Sequence, residues 1–162
     1  MQKNVTIRPA LASECKDILH FITQLAIYEK LEHEVVATEE ILKKNLFGEN
    51  KSAEVLFLEE NGVKAGFALF FQSFSTFLGL PGIYLEDLFV LPEHRGKGYG
   101  KKLLAFLAKT AVDRGCGRLE WSVLDWNKPA IDFYLSVGSK PMDEWTVHRM
   151  TGENLKKFAA LS

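Results

Sequence analysis

The chain has 162 residues, of which 47% are hydrophobic, and its formal net charge is −1. This size and composition predict a single domain over residues 1–162 with a real hydrophobic core. A charge near zero argues against nonspecific nucleic-acid binding, and no apolar run approaches the ~20 residues of a membrane span. No signal peptide is recognised, so we expect a cytoplasmic protein without nucleic-acid or membrane partners.

The first half of the sequence predicts two helices followed by antiparallel strands. Ser13 and Thr38 are residues of the type that caps helix N-termini, and each precedes a helical pattern. The pair Asn61–Gly62 favours a hairpin turn because both residues tolerate positive φ. The predicted elements are, in order, a strand at Val5–Ile7, helices from Ser13 to about Lys30 and from Thr38 to about Gly48, and strands at Ala53–Glu59 and Lys64–Ser75.

The second half predicts strands alternating with helices. The elements are a loop at Phe77–Gly82, a strand at Ile83–Val90, a helix from Gly98 or Tyr99 to about Arg114, a strand at Arg118–Leu124, a helix from Asn127 to Gly138, a strand at Trp145–Met150 and a polar C-terminal helix. This order is typical of an α+β domain with a mixed, mostly antiparallel sheet flanked by helices. It differs from a doubly wound Rossmann sheet.

A glycine-rich segment, Arg95-Gly96-Lys97-Gly98-Tyr99-Gly100, joins a predicted strand to a predicted helix. Its alternating glycines lack the Cβ atoms that would keep an anion from the backbone N–H groups. The helix adds unpaired N–H groups and a positive dipole end, and Arg95, Lys97 and Lys101 add cationic charge. The segment therefore predicts a pyrophosphate site. A Walker A loop is excluded because no Ser or Thr follows the lysines, and the spacing is one residue short of the dinucleotide fingerprint.

The cysteines and histidines do not predict a metal site. Cys15 and Cys116 lie far apart without a CxxC pattern, and the four histidines share no ligand spacing. We expect free thiols in a reducing compartment and no metal.

The glycine-rich segment resembles the Arg/Gln-x-x-Gly-x-Gly/Ala signature of the GNAT superfamily of N-acetyltransferases, in which these amides bind the coenzyme A pyrophosphate. Other segments resemble its diamine acetyltransferase branch, which includes spermidine/spermine and thialysine N-acetyltransferases. These segments are Arg8-Pro9-Ala10, Tyr28-Glu29, Tyr84 to Val90, Leu124 to Asn127 and Phe133-Tyr134. The resemblance runs from about Val5 to Trp145. It implies the GNAT acyl-CoA N-acyltransferase fold, acetyl-CoA as co-substrate and a homodimer.

The resemblance also implies where the cofactor binds. Backbone groups of residues 88–90 would hold the acetyl and pantetheine portion, in a slot that a strand bulge opens in the family. The expected cofactor-binding residues are Leu88, Phe89, Val90, Arg95, Gly96, Lys97, Gly98, Tyr99, Gly100, Lys101, Asn127, Pro129 and Tyr134.

Acetyl transfer to an amine requires two proton transfers. The ammonium group, with a pKa of about 10, must lose a proton, and the leaving thiolate gains one. The resemblance assigns the second proton to Tyr134 and places Glu86 near the acceptor amine, where it would bind substrate and deprotonate it through water. Strand alternation predicts that the Asp87 side chain points to the face opposite that of Glu86, together with Leu85 and Phe89. We expect Asp87 to anchor the structure there, for example through an ion pair. The alternative for Tyr134 is a core tyrosine that packs beside Phe133. The alternative for Glu86 and Asp87 is a buried salt-bridge pair with an unrelated role.

The expected acceptor-binding residues are Tyr28, Glu29, Glu86 and Trp145, which combine acids with aromatic faces for a cationic amine. Unlike the polyamine enzymes of the branch, this chain has no acid in the stretch Phe74–Gly79. A diamine or a lysine-like (thialysine-like) amine is therefore favoured over a polyamine. The alternatives are acetylation of protein lysines or N-termini, and a non-catalytic acyl-CoA-binding or sensing module.

Overall fold

The computed structural model describes residues 4–162 and divides them into two compact units, residues 4–124 and residues 125–162. The first unit contains β1 (Val5–Pro9), α1 (Cys15–Tyr28), α2 (Glu39–Phe47), β2 (Glu54–Glu60), β3 (Val63–Ser75), β4 (Leu80–Val90), α3 (Tyr99–Asp113) and β5 (Leu119–Trp121). The second contains α4 (Lys128–Ser136) and α5 (Gly152–Ala159). Single turns of 3-10 helix occur at Ala12–Glu14, Glu32–Glu34 and Pro92–His94.

The five strands form one sheet in the order β1-β2-β3-β4-β5. The first four strands are antiparallel to their neighbours, and β5 runs parallel to β4. The predicted mixed, mostly antiparallel sheet flanked by helices is thereby confirmed. The predicted hairpin turn is confirmed as well, because Asn61 and Gly62 have φ values of +52° and +80°.

The helices cover both faces of this sheet. Against one face, Phe21 of α1 packs on Phe57 and Phe67, with ring centroids 5.7 and 5.1 Å apart. Against the other face, Leu103 of α3 lies over Gly66, where a Cβ atom would come within 3.3 Å of its side chain. All four of these large side chains are at least 98% buried. Each therefore contributes on the order of 2 kcal/mol of apolar burial that fixes the sheet between the helices.

Several element boundaries differ from the sequence prediction. Helix α1 begins at Cys15 and not directly after Ser13. The Glu14 carboxylate accepts hydrogen bonds from the Leu11 N–H and the Arg8 guanidinium, and these bonds hold residues 12–14 in a separate 3-10 turn. Strand β4 begins at Leu80, since the hairpin closes tightly through Gly79 N–H and the Ser75 carbonyl. The predicted strand at Arg118–Leu124 is reduced to Leu119–Trp121.

The predicted strand at Trp145–Met150 is wrong. These residues form no regular element, and all six are exposed. Within residues 125–162 the structure describes only the helices α4 and α5, so this unit offers them no strand with which to form ladder hydrogen bonds. The predicted C-terminal helix, by contrast, is present as α5.

Candidate active site

The glycine-rich segment forms an open turn at the N-terminus of α3. Gly96 and Gly98 have φ values of +76° and +77°, and no atom beyond the adjacent residues lies within 4 Å of the position that a Cβ would occupy at either glycine. The first α-helical bond runs from Lys102 N–H to the Gly98 carbonyl. The N–H groups of the first turn precede it and have no helical acceptor. The segment thus presents backbone donors at the positive end of a helix of 15 residues.

Two of the three cations predicted at this segment have protein partners. The Lys97 ammonium lies 2.7 Å from Glu60 Oε2. The Arg95 guanidinium lies 5.1 Å from the ring centroids of both Tyr28 and Phe89, and its Nε donates to the Val90 carbonyl at 3.1 Å. Lys101 is exposed on the first turn of α3. The donors that this turn offers to an anion are therefore mainly backbone amides.

Strand β4 carries a bulge at Glu86. In the register with β3, Asp87 pairs with Leu69 and Leu85 pairs with Phe70, which leaves Glu86 as an extra residue. The parallel pairing with β5 also ends here, at Leu85 and Trp121. Within residues 4–124, the edge of β4 that faces away from β3 therefore has no strand partner from Glu86 to Val90. Its backbone groups form no ladder with another strand of that unit.

The bulge changes which side chains share a face. Leu69 and Phe70 are consecutive, so their partners Asp87 and Leu85 lie on opposite faces of the sheet. The prediction that Asp87 shares a face with Leu85 is wrong, because strict alternation fails at the extra residue Glu86. Asp87 keeps its predicted place beside Phe89, on the face that packs against α1.

Asp87 is the most perturbed carboxyl group of this region. Burial, together with the negative charges of Glu86 and Glu29, raises the pKa of Asp87 to about 7. Burial also raises the pKa of Glu29 above its ordinary value. Among the residues that the structure describes, no cation lies within ion-pair distance of Asp87, so the ion pair predicted for it is absent. The charges of Glu29, at the end of α1, and Glu86, at the bulge of β4, thus both act on Asp87.

Aromatic rings border this acidic group. Tyr28 packs on Phe89 with ring centroids 6.1 Å apart, and 39% of its surface is exposed. Tyr84 stacks on Phe71 at 5.2 Å, and its hydroxyl lies 2.6 Å from Ser122 Oγ. The predicted residues Tyr28, Glu29 and Glu86 are therefore brought near one another within the first unit. Asp87 belongs to the same group, although sequence reasoning gave it a structural role.

The second unit carries the remaining predicted residues. Asn127 caps α4, since its Oδ1 accepts the Ala130 N–H at 3.4 Å, and Pro129 follows in the first turn. Tyr134 is half-buried beside Phe133, with ring centroids 5.6 Å apart. It lies seven residues after Asn127, which places both on one side of the helix. Trp145 is 70% exposed, outside any helix or strand.

A cavity of about 590 Å³ lies at the opposite end of α3, lined by residues that include Phe70, Phe106 and Arg114. Over residues 4–162, no group of three or more His, Cys, Asp or Glu side chains is placed to hold a metal. In the same part of the chain, no helix has the length and apolar character needed to cross a membrane.

Comparisons with known proteins agree on one family. A family model described as "Acetyltransferase (GNAT) family" matches residues 19–138. A thialysine N-epsilon-acetyltransferase from Bos taurus is 39% identical, over 96% of this chain and 97% of its own length. An L-ornithine N5-acetyltransferase from Arabidopsis thaliana is 33% identical, over 96% and 88%. Among solved structures, an integron cassette protein from the mobile metagenome of V. cholerae has a TM-score of 0.80 at 30% identity, covering 96% and 97%.

Proposed function

This chain belongs to the acetyltransferase (GNAT) family, and on that basis we propose that it transfers the acetyl group of acetyl-CoA to the side-chain amine of a small, lysine-like substrate. One observation carries the proposal. The first unit combines an open backbone turn suited to pyrophosphate with an edge of β4 that has no strand partner and a carboxyl group whose pKa is about 7. These are the parts that direct transfer from a thioester to an amine requires.

Acetyl-CoA would bind along the glycine-rich segment and the open edge of β4. Backbone amides from Gly96 to Lys101 would hold the pyrophosphate, and Lys101 would supply charge. Because Tyr99 is only 4% exposed, it would contribute its backbone N–H rather than its ring to the cofactor site. The backbone of residues 88–90 would bond the acetyl and pantetheine portion, and Arg95 and Lys97 would complete the part of the site that the first unit carries. We propose Asn127, Pro129 and Tyr134 of the second unit as further cofactor-binding residues.

We propose the following chemical step. The amine nitrogen would attack the acetyl carbonyl carbon, the carbon–sulfur bond would break, and the sulfur would take a proton from the Tyr134 phenol. The nitrogen would then release the proton that it carries in excess after the attack, and this proton would return to the Tyr134 phenolate through solvent. The amine must first lose a proton, and Glu86, exposed at the bulge, would hold the ammonium group. Asp87 would accept the proton, directly or through water, because a carboxyl group with a pKa of about 7 is half ionised at neutral pH. No covalent enzyme intermediate is needed.

The acidic group and its surroundings favour a small acceptor. Glu29, Glu86 and Asp87 suit one ammonium group, and Tyr28 adds an aromatic face beside them. The turn between β3 and β4 carries no acid to hold a second, distant cation, and it exposes Phe77 instead. Relatives named for thialysine and ornithine agree with an acceptor that carries its own carboxylate. Trp145 of the second unit would contact this substrate.

We propose further that residues 1–162 act as one N-acetyltransferase domain in the cytoplasm and assemble as a homodimer. Support for assembly comes from α5 and the residues after it, where Leu155, Phe158 and Leu161 expose between 52% and 79% of their surface. The free thiols of Cys15 and Cys116 agree with a reducing compartment. Sedimentation that found only monomers would contradict the dimer.

A panel of acceptors tests the substrate class. Thiol release from acetyl-CoA would be measured with thialysine, lysine, ornithine, putrescine, spermidine and a lysine-containing peptide. We expect the lysine-like amines to exceed spermidine in kcat/KM by about tenfold, the equivalent of one charge interaction of about 1.4 kcal/mol. A preference for spermidine, or use of the peptide alone, would contradict this substrate class.

Replacing Gly98 with valine is expected to weaken acetyl-CoA binding by at least about tenfold. A β-branched residue at a φ of +77° costs roughly 1–2 kcal/mol of backbone strain, and its side chain would stand where the anion approaches. Gly115→Val is the matched control, because Gly115 has a φ of +71° at the other end of α3. Calorimetric titration should give an unchanged Kd for that control. An unchanged Kd for Gly98→Val would remove the pyrophosphate assignment.

A further inference from the structure

A buried carboxylate lies beside the glycine-rich segment. Glu60, the last residue of β2, is only 7% exposed. Its Oε2 lies 2.8 Å from His94 Nδ1 and 2.7 Å from Lys97 Nζ. A single carboxylate oxygen of Glu60 thus contacts both His94 and Lys97, the two residues that flank the dipeptide Arg95-Gly96.

Both partners are themselves held in place. His94 ends the 3-10 turn that follows β4, and only 16% of its side chain is exposed. Lys97 stands between the two glycines of positive φ, and its ammonium lies 5.8 Å from the ring centroid of Tyr99. The contacts therefore connect the turn both to β2 and to the first residue of α3.

The backbone of the turn gives a reason for this connection. Glycines at positions 96 and 98 free the backbone for an anion, but they also let it sample many conformations. Ordering such a turn when the anion binds would cost conformational free energy. Side chains fixed to a rigid strand lower that cost, because the amides are held in place before the anion arrives.

We propose that Glu60 is a positioning residue for the acyl donor. It acts through His94 and Lys97 to hold the backbone amides of the glycine-rich segment in their anion-binding geometry, and it touches neither substrate. This inference rests on the proposed function, since it assumes that the segment binds the pyrophosphate of acetyl-CoA. By charge alone a carboxylate would repel that anion, so the effect of positioning has the opposite sign.

Two donors separate positioning from a general effect on the fold. Acetyl-CoA carries the pyrophosphate, whereas S-acetylpantetheine offers the same thioester without it. For Glu60→Gln we expect the KM for acetyl-CoA to rise about threefold, and for Glu60→Ala about tenfold, because the amide still accepts one hydrogen bond and the methyl group accepts none. The kcat with saturating acetyl-CoA, and kcat/KM with S-acetylpantetheine, should stay within twofold of the wild type.

Glu93→Gln is the matched control, because Glu93 is an exposed acid of the same 3-10 turn. It removes the same charge and should leave the KM for acetyl-CoA unchanged or slightly lower. Lys97→Met should reproduce part of the Glu60→Ala effect, and combining the two changes should add less than the sum of the separate effects.

Three results would overturn the inference. A lower KM for acetyl-CoA in Glu60→Gln would mean that Glu60 draws Lys97 away from the anion. Equal losses with both donors would indicate a structural role. An unchanged KM in Glu60→Ala, while Gly98→Val still weakens acetyl-CoA binding, would refute the positioning role of Glu60 but leave the pyrophosphate site in place. Unchanged binding in both Glu60→Ala and Gly98→Val would instead refute the pyrophosphate site on which the inference rests.

Discussion

Replacing Tyr134 with phenylalanine is expected to lower kcat for amine acetylation by about 100-fold or more, while the Kd for acetyl-CoA stays within a few-fold. Phenylalanine keeps the ring that packs on Phe133 at 5.6 Å but removes the hydroxyl proton that the leaving thiolate would take. Single-turnover kinetics with saturating acetyl-CoA and thialysine would measure the loss in the chemical step.

The nature of the leaving group provides the control for this prediction. An acetyl thioester of an aromatic thiol leaves as a stable thiolate and needs little protonation. The defect of Tyr134→Phe should therefore shrink with that donor. An unchanged kcat with acetyl-CoA, or an equal defect with both donors, would exclude Tyr134 as the proton donor.

Replacing Asp87 with asparagine is expected to lower kcat/KM for the amine at pH 7 by at least about 30-fold. In the wild type, activity should rise with pH as Asp87 ionises around pH 7. In the variant this rise should disappear, because no group of that pKa remains to accept the proton. A pH profile of kcat/KM from pH 5.5 to 9 measures both effects.

The same change should stabilise the fold at alkaline pH. The Asp87 pKa lies near 7 in the folded chain, against 3.8 for an unperturbed aspartate. At pH values between these two pKa values, the unfolded chain therefore binds fewer protons than the folded chain, and the free energy of unfolding falls as the pH rises. Asp87→Asn avoids this loss and should raise the free energy of unfolding at pH 8 by roughly 2–4 kcal/mol. Urea unfolding at pH 8 would measure the gain.

Glu86→Gln is the informative comparison for Asp87→Asn. Losing the Glu86 charge should raise the KM for the amine and lower the pKa of Asp87, which moves the rise in activity to lower pH. Two outcomes would contradict the assignment of Asp87 as the base. One is full activity in Asp87→Asn, and the other is a pH profile that keeps its rise in that variant.

Local signals in the sequence predicted much of the fold and the turn. The Asn61–Gly62 hairpin, the Thr38 cap and the Asn127 cap each depend on neighbouring residues, and each is present. The glycine-rich segment was located in the same way, because its spacing before a helix is a local pattern. Such features require no knowledge of which distant strands pair.

The bulge and its consequences could not be predicted, because they depend on pairing between strands. Glu86 is an extra residue only relative to the register with β3, which the sequence does not show. Strict alternation therefore places Leu85 on the same face of the sheet as Asp87, whereas the structure has the two on opposite faces. The raised pKa of Asp87 depends on Glu29, which is 58 positions away in the sequence. Likewise, Lys97 was expected to face an anion, but its partner Glu60 lies 37 positions earlier.

Mass analysis of one reaction mixture tests the central claim most directly. Equal amounts of enzyme, acetyl-CoA and thialysine would be mixed and quenched after about one turnover. We expect a single acetyl group on the side-chain amine of thialysine, one equivalent of free coenzyme A, and no acetyl group on the protein. Bound acetyl-CoA without any acetylated amine, or an acetyl group retained on the protein, would contradict direct transfer to a small amine.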